Sequence, residues 1–339
     1  MKAAVFYGTK DLRVTDIPVP AIGDDDILVR VKACGICGTD LHIYEGAQGA
    51  AACTPPTVLG HEFSGVIEKA GRNVVDVKPG DRVVIDPNDL CDKCTFCKTG
   101  RGHFCEHMTG IGTTVNGGFA EYCAVRAKQA YKIPDSLSFE EAALSEPISC
   151  CLHGIDLAEI RPGSSVMVIG GGPIGLIMLQ LARLAGAATV LLLEPVEEKR
   201  AIAKVLGADI TIDPIREDVR ETLAKNGIDN LDAVIECVGL KSTMRDAIEF
   251  AGKCSTVVLF GLTAPDCEIA IRPFDIFKKE VKITASYINP YTMSRAIAVL
   301  MSRRVDVKSI IGRTLPLDEI CGPFEDVQMR RNGKVIVKL

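Results

Sequence analysis

Tryptophan is absent from this 339-residue chain, and aromatic residues of all kinds make up only 5% of it. The sequence therefore gives no sign of an aromatic-lined pocket for a bulky hydrophobic ligand. An excess of positive charge is also missing, since the formal net charge is -5. This charge balance argues against nucleic acid or an anionic membrane surface as a partner.

Long apolar runs are missing as well, and no segment approaches the roughly 20 consecutive apolar residues of a membrane-spanning helix. The N-terminal stretch MKAAVFYGTKDLRVTDIPVP mixes a short apolar alternation with charges, which predicts a first strand rather than a signal peptide. Because nothing indicates export, most of the 14 cysteines are expected to be reduced thiols. We therefore expect a cytoplasmic protein.

The pattern of predicted secondary structure changes near residue 150. Before that point, short alternating segments between glycine and proline turns predict an antiparallel β-rich domain; examples are ILVRVKACG, FSGVIEKAG, DRVVI and GGFAEYCAV. After it, strand patterns such as SSVMVIG, TVLLLE and LDAVIECVG alternate with helical patterns such as PIGLIMLQLARLAGA. This alternation predicts a doubly wound α/β domain with a parallel sheet covered on both faces. The chain then ends on a strand-like GKVIVKL.

A short polar stretch, CDKCTFCKTGRGHFC, holds four cysteines: Cys91, Cys94, Cys97 and Cys105. Thiols at this spacing can converge on one ion, and a shell of four cysteines is typical of structural zinc. An iron–sulfur cluster is the alternative, although the usual cluster spacings differ. Basic residues that would offset the thiolate charge lie in the same stretch: Lys93, Lys98, Arg101 and His103.

Candidates for a second, catalytic metal site are spread over three segments, CGICGTDLHIYEG, GHEFSG and LSEPISC. They are Cys37, His61, Glu62 and Glu146. Taken singly, each is better explained by a core or surface role than as a metal ligand, and the sequence alone does not bring them together. A catalytic metal needs fewer protein ligands than a structural one, with one position left open for substrate.

The stretch SSVMVIGGGPIGLIMLQLARLAG carries a G-x-G-x-x-G pattern at Gly170, Gly172 and Gly175, between a predicted strand and a predicted helix. Such a turn, including Pro173 and Ile174, binds a dinucleotide pyrophosphate at the helix N-terminus. Glu194 ends the next strand, where a carboxylate hydrogen-bonds the adenosine ribose and repels the 2′-phosphate of NADP. These features predict NAD, with Lys199 as a further candidate contact to the ribose.

Taken together, these stretches resemble a zinc-dependent medium-chain alcohol dehydrogenase, and the resemblance covers essentially the whole chain. The SEPISC and CGTDLHIYEG segments are most similar to the sorbitol and threonine dehydrogenase branch. The family implies that residues 1–149 and 289–339 form a GroES-like catalytic domain, with a Rossmann domain over 150–288 inserted between them. It further implies one catalytic and one structural zinc, and a homodimer or homotetramer built across the edge of the Rossmann sheet.

By position, Cys37 and His61 match two ligands of the family's catalytic zinc. In sorbitol dehydrogenase-like members the third ligand is the glutamate that matches Glu62. Others use the later carboxylate, which matches Glu146, or hold it to the zinc through water, so both glutamates are expected near the metal. Adjacent side chains on a regular strand point to opposite faces, so His61 and Glu62 can share an ion only from a distorted turn, which Gly60 would allow.

The resemblance also implies roles for residues that follow Cys37. Asp40 matches a carboxylate that orients the metal-bound histidine. Thr39 and His42 match a relay that takes the alcohol proton to solvent. The implied reaction is hydride transfer from a small polar secondary alcohol, such as a polyol, to NAD. Nearby candidates for substrate contacts are Tyr44, Glu45 and the loop GAQGAAACTPP.

Two positions depart from the family pattern. Glu194 stands where aspartate is common, which bears on the choice of cofactor. Glu146 precedes Pro147 where the threonine branch usually has aspartate, which favours a polyol over threonine. A threonine-type amino-alcohol dehydrogenase, a primary-alcohol enzyme and a catalytically idle dinucleotide-binding protein remain the alternative functions.

Overall fold

The computed structural model describes residues 1–47 and 52–339. The chain divides into two compact units. The first unit comprises Met1–Ser149, Pro290–Ser302 and Ile310–Leu339, and the second comprises Cys150–Asn289 and Arg303–Ser309. The first unit therefore contains both termini, and residues 303–309 pack with the second unit rather than with their sequence neighbours.

Short strands and short helices make up the N-terminal part of the first unit. Its strands are β1 (Lys2–Gly8), β2 (Asp11–Asp16), β3 (Asp26–Gly35), β4 (Thr57–Val58), β5 (Glu62–Ala70), β6 (Arg82–Ile85), β7 (Asn88–Asp89), β8 (Thr109–Gly110), β9 (Tyr122–Arg126) and β10 (Ala130–Lys132). Its helices are α1 (Gly38–Tyr44), α2 (Thr95–Lys98) and α3 (Phe139–Ala143), and α4 (Ser145–Ala158) runs across the unit boundary. Single 3-10 turns lie at Gly102–Phe104 and Ala127–Gln129.

Strands and helices alternate in the second unit. Its strands are β11 (Ser165–Ile169), β12 (Thr189–Leu193), β13 (Ile210–Ile212), β14 (Ala233–Glu236), β15 (Thr256–Leu259) and β16 (Lys282–Ala285). Its helices are α5 (Pro173–Leu184), α6 (Glu197–Val205), α7 (Val219–Lys225), α8 (Lys241–Phe250) and α9 (Pro273–Lys279). The returning C-terminal part of the chain holds α10 (Met293–Met301), β17 (Ile311–Pro316), α11 (Cys321–Glu325) and β18 (Lys334–Lys338), with 3-10 turns at Lys308–Ile310, Leu317–Glu319 and Val327–Arg330.

The main sheet of the first unit is organised around the long strand β3. Six of its seven strands take the order β10-β6-β5-β3-β18-β17, and the seventh, β9, pairs with β3. Strands β5, β9 and β18 all pair antiparallel to β3, so that β3 joins the N-terminal strands to the C-terminal one. Beneath this sheet lies one apolar cluster, in which the largest fully buried rings are Phe63 and Phe119.

The second unit is a parallel sheet of six strands in the order β13-β12-β11-β14-β15-β16. In order along the chain this is 3-2-1-4-5-6, the strand order of a Rossmann fold. The central strands are continuous apolar runs, and VMVI of β11 and VLLL of β12 are fully buried. Strands covered on both faces by helices need this composition.

The predicted fold class is confirmed: a β-rich unit accompanies a doubly wound parallel sheet. Two details differ from the sequence patterns. The stretch GGFAEYCAV forms a strand only from Tyr122, because its first residues make a single bridge between Ala120 and Ala3. In the otherwise antiparallel main sheet, β17 pairs parallel to β18. Among the described residues, no helix combines the length and the apolar character needed to cross a bilayer.

A glycine allows β3 and β5 to pair closely at their irregular register. Gly65 lies opposite Val31, where the pairing shifts by one residue. A Cβ atom on Gly65 would overlap the carbonyl oxygen of Arg30 and lie 2.8 Å from Cγ1 of Val29. The backbone of β3 therefore occupies the space that any larger side chain on Gly65 would need.

Replacing Gly65 with alanine is expected to destabilise the protein by about 1–3 kcal/mol, because the strands must separate to admit the methyl group. The measurement is the urea midpoint of unfolding, followed by circular dichroism at constant zinc. Gly38→Ala is the matched control, since a Cβ there meets no atom within 4 Å in the described part of the chain. Equal midpoints for the two variants would contradict the packing argument.

Candidate metal and dinucleotide sites

The four cysteines of the polar stretch converge on one point. The ligand atoms of Cys91, Cys94, Cys97 and Cys105 all lie within 4.8 Å of one another. Helix α2 starts directly after Cys94, and successive backbone N–H groups donate to the preceding sulfur: Cys94 N to Cys91 Sγ at 3.4 Å and Cys97 N to Cys94 Sγ at 3.5 Å. This short-range geometry orients four sulfur donors as a closed tetrahedral zinc site requires.

Electrostatics in this cluster also suits a cation. Hydrogen bonds from the backbone N–H groups of Cys97 and Glu106 lower the pKa of the Cys94 thiol to about 6. Burial and the neighbouring thiols raise the pKa of Cys97 to about 12. Four sulfurs this close cannot all ionise unless a positive ion compensates them. Burial and Arg101 lower the pKa of His103, which disfavours a positive charge on this side chain.

A second cluster forms from residues that are distant in sequence. The ligand atoms of Cys37, His61 and Glu62 lie within 4.8 Å of one another. Cys37 precedes α1, and Glu62 is the first residue of β5. His61 and Glu62 face one point because His61 lies before the regular strand and follows Gly60, whose φ of +90° is a left-handed value that favours glycine. Glu146, in the first turn of α4, is not part of this cluster.

Asp40 contacts the backbone and side chains that form the second cluster. It is fully buried, and its Oδ2 accepts a 2.8 Å hydrogen bond from the backbone N–H of Cys37. Its Oδ1 accepts a 3.3 Å hydrogen bond from Gly60 N–H and lies 3.5 Å from Nδ1 of His61. Burial alone would lower the pKa of His61, but Asp40 and Cys37 raise it well above its ordinary value. The surroundings of the imidazole therefore favour a positive charge, which a metal ion supplies.

A lysine that the sequence patterns did not single out faces this cluster. Lys334, the first residue of β18, donates a 2.6 Å hydrogen bond to Oε1 of Glu62, and both side chains are buried. Burial would lower the pKa of Lys334, yet Glu62, Cys37 and Glu146 raise it above its ordinary value. The sequence did contain a signal for this residue: a lysine directly before the apolar residues VIV of a strand is expected to be buried, and a buried charge needs a partner.

The candidate residues that follow Cys37 differ in their surroundings. Thr39 and His42 are half-buried and three residues apart on α1, so they lie on the same face of the helix. Tyr44 belongs to the core instead, with its ring 5.3 Å from that of Phe324. Glu45 is exposed and forms an ion pair with Lys10 at 3.4 Å. Of the loop GAQGAAACTPP, residues 48–51 lie outside the described residues.

The glycine-rich turn joins β11 to α5 in the second unit. Gly170 has a φ of +102°, and Gly172 is the residue that caps α5, with Pro173 at its first position and Ile174 next. A Cβ on Gly175 would overlap the carbonyl oxygen of Gly170, so only glycine permits this approach of helix to turn. The backbone N–H groups at a helix N-terminus that follows such a turn can hold a pyrophosphate.

Glu194 packs against this turn. Its Oε2 accepts a 2.6 Å hydrogen bond from Gly171 N–H and its Oε1 a 2.9 Å bond from Val196 N–H. The side chain is buried, and Lys199 on α6 lies close by, since a Cβ on Gly171 would be 3.2 Å from Cβ of Lys199. The carboxylate is thus fixed beside the turn by two backbone donors.

Both donor sets fit the cofactors that the sequence predicts. Cysteine, histidine and carboxylate donors around one point suit a catalytic zinc ion, whereas four cysteines suit a structural one. The turn with its helix end and the carboxylate at the end of β12 fit a dinucleotide.

The comparisons with known proteins agree with this layout. The sequence profile of the alcohol dehydrogenase GroES-like domain matches residues 23–135, and that of the zinc-binding dehydrogenase domain matches residues 173–302. The chain is 36% identical to D-arabinitol dehydrogenase 1 of Uromyces fabae, covering 100% of this chain and 97% of that protein. It is 34% identical to sorbitol dehydrogenase of Gallus gallus, over 99% of this chain and 96% of the relative.

Among solved structures, a zinc-binding dehydrogenase from Sinorhizobium meliloti 1021 bound to NADP superposes with a TM-score of 0.95 at 40% identity, covering 100% of this chain and 99% of that one. Identity above 30% over whole chains, together with both domain profiles, is sufficient to assign the family. The chain is a dehydrogenase and belongs to the zinc-dependent medium-chain alcohol dehydrogenases, in their sorbitol dehydrogenase-like branch.

Proposed function

We propose that this enzyme oxidises a small polar secondary alcohol of the polyol class to a ketone, with zinc and NAD as cofactors. The observation that carries the proposal is the meeting of Cys37, His61 and Glu62 around one point. The names of the relatives support the substrate class, since D-arabinitol and sorbitol are both polyols. Location in the cytoplasm, where thiols stay reduced, accords with the absence of any disulfide bond among the described residues.

The residues of the first unit divide the work as follows. Cys37, His61 and Glu62 hold the catalytic zinc. Glu146 lies outside this set of ligands, and its charge acts on Lys334. When bound, zinc supplies Lewis-acid polarisation of the alcohol oxygen, and the dinucleotide accepts the hydride. Thr39 accepts the proton that the alcohol releases, and His42 passes it to solvent. Asp40 keeps the imidazole of His61 in one orientation.

The four cysteines Cys91, Cys94, Cys97 and Cys105 hold the second, structural zinc. Four cysteines close the coordination shell, so this ion has no open position for a substrate. Its role is to hold the segment around α2 in its fold, because α2 itself contains no buried residue.

The substrate test is NADH formation by the purified enzyme with sorbitol, D-arabinitol, xylitol, ribitol, butanediol, threonine and ethanol, with and without a strong chelator. We expect turnover of a polyol, lost with chelator, and two zinc ions per chain. Cys37→Ser should lose one zinc and at least about 100-fold in kcat, because the open metal site loses a ligand.

Other results of the same experiment discriminate the alternatives. Turnover of threonine alone would place the enzyme among the amino-alcohol dehydrogenases, and turnover of ethanol alone among the primary-alcohol enzymes. One zinc per chain with no turnover would identify a dinucleotide-binding protein without catalysis and would refute the proposal.

NAD is the proposed cofactor because the carboxylate of Glu194 stands beside the glycine turn, where it repels the 2′-phosphate of NADP. The Sinorhizobium meliloti structure contains NADP, so the preference of this chain needs its own measurement. Glu194→Gln keeps the size of the side chain and removes its charge. It should shift the ratio of kcat/KM values toward NADP by about tenfold or more.

The control for this variant is Glu221→Gln, on the exposed helix α7 and paired with Lys225. It should leave the NAD to NADP ratio unchanged. A wild-type enzyme that prefers NADP would contradict the assignment of Glu194 to cofactor selection.

We also propose that two copies of the chain associate through the edge strand β16. This strand ends the order of the parallel sheet, and its residues Lys282, Ile283 and Ala285 are exposed. Helix α9, which precedes it, carries Phe274 and Phe277 with 69% and 82% exposure. An open strand edge beside exposed aromatic rings is a surface that a second copy would cover.

Phe277→Asp should shift the protein toward the monomer, because it places a charge in this apolar surface. The measurement is molar mass by light scattering over a range of protein concentrations. Val205→Asp is the matched control, since Val205 is equally exposed, at 82%, but lies on α6. A wild-type protein that is monomeric at micromolar concentration would refute the proposed association.

A further inference from the structure

A buried ion pair joins strand β5 to strand β18 at the metal cluster. The ammonium of Lys334 lies 2.6 Å from Oε1 of Glu62 and is also in contact with Oε2. The side chains of Lys334 and Glu62 are 6% and 1% exposed. Two charges that are removed from water this completely stay together only with good geometry, and neither is replaceable without leaving the other unpaired.

The pair is formed across an intervening strand. Glu62 belongs to β5 and Lys334 to β18, and β3 lies between these two strands in the sheet. Two interstrand spacings amount to about 9.5 Å, which long side chains can bridge only if the middle strand leaves the path open. Gly35, at the end of β3, is the residue paired with Glu62.

Gly35 provides the space for this crossing. A Cβ atom on Gly35 would overlap Oε2 of Glu62 and lie 2.9 Å from Cε of Lys334. Gly35 is not among the glycines with a positive φ, so backbone strain is not the reason for glycine here. Its lack of a side chain instead lets the carboxylate and the ammonium meet over the strand.

The ammonium of Lys334 partly balances the negative charges around the proposed zinc site. Cys37 and Glu62 bring two negative charges to the proposed zinc ligands when both are ionised, and Glu146 brings a third that acts on Lys334. The lysine ammonium offsets one of these three negative charges, and a divalent ion would offset the other two. It also restrains a flexible three-torsion side chain, whose two oxygens are otherwise equivalent ligands for the ion.

We propose that Lys334 is a positioning residue for the catalytic metal: through the gap at Gly35 it fixes the carboxylate of Glu62 in the orientation in which one oxygen faces the ion. The inference rests on the proposed function, because it takes Glu62 as a zinc ligand. Hydrogen-bonded partners of metal ligands commonly contribute 10–100-fold in metal affinity.

The experiment measures the rate at which a chromogenic chelator removes zinc from the full-length protein. The wild-type protein should release its two ions in two phases, and the phase missing from Cys37→Ser belongs to the catalytic ion. Lys334→Met should accelerate that phase by about 10–100-fold and leave the four-cysteine phase unchanged. The four-cysteine ion thus serves as an internal control for a general loss of structure.

Three further variants separate positioning from stability. Lys338→Met removes an exposed lysine of the same strand, paired with Glu140, and should release both ions like the wild type. Gly35→Ala closes the passage and should accelerate release of the catalytic ion as Lys334→Met does. Glu62→Gln with Lys334→Met removes both charges, so it leaves no unpaired buried ion and should release zinc no faster than Glu62→Gln alone.

The outcomes are distinct. Catalytic-ion release at the wild-type rate in Lys334→Met overturns the inference, and so does slower release, which would make Lys334 a competitor of the metal for Glu62. If Lys334→Met does not fold, the double variant decides: zinc release that is faster than in Glu62→Gln alone overturns the inference as well. A wild-type protein with a single zinc overturns the proposed function and the inference together, whereas two zinc ions with no effect at Lys334 refute the inference alone.

Discussion

The pairing of β18 with β3 is the interaction on which the candidate metal site depends. It brings the C-terminal strands β18 and β17 into a sheet whose other members all lie between Asp26 and Lys132. The same strand β3 leads to Cys37 at one end and holds β5, which begins at Glu62, along its side. A single strand therefore aligns the thiol, the carboxylate and the buried lysine, and its last residue is a glycine because two side chains cross over it.

Each unit contributes a different kind of rigidity. In the second unit, the parallel sheet and the close approach of Gly175 to Gly170 fix a helix N-terminus beside a buried carboxylate, which suits an anionic and hydroxyl-rich ligand. In the first unit, hydrogen bonds outside the regular secondary structure position the donors. Asp40 accepts one from the start of α1 and one from the turn at Gly60. The donors are thus held by buried hydrogen bonds, which tolerate little displacement.

The two cysteine-containing clusters show how different metal roles arise from different folding requirements. The four-cysteine cluster closes within fifteen residues, and its backbone N–H groups already point at the sulfurs. Its geometry needs little from the rest of the fold, as befits an ion that stabilises a local segment. The mixed cluster needs the start of α1 and the start of β5 to be packed correctly against each other, so its ligand geometry depends on the tertiary structure of the unit.

The sequence by itself determined the features whose contacts are local. The strand–turn–helix around Gly170, the four-cysteine stretch and the alternation that defines the parallel sheet are set within a few residues by backbone geometry and periodicity. Tertiary structure alone decided that Cys37, His61 and Glu62 meet while Glu146 stays outside their cluster. It also decided the partner of Glu62, since Lys334 is 272 residues away and no pattern specifies the strand register that joins them. A buried charge predicts that a partner exists, but only the packed sheet selects which one.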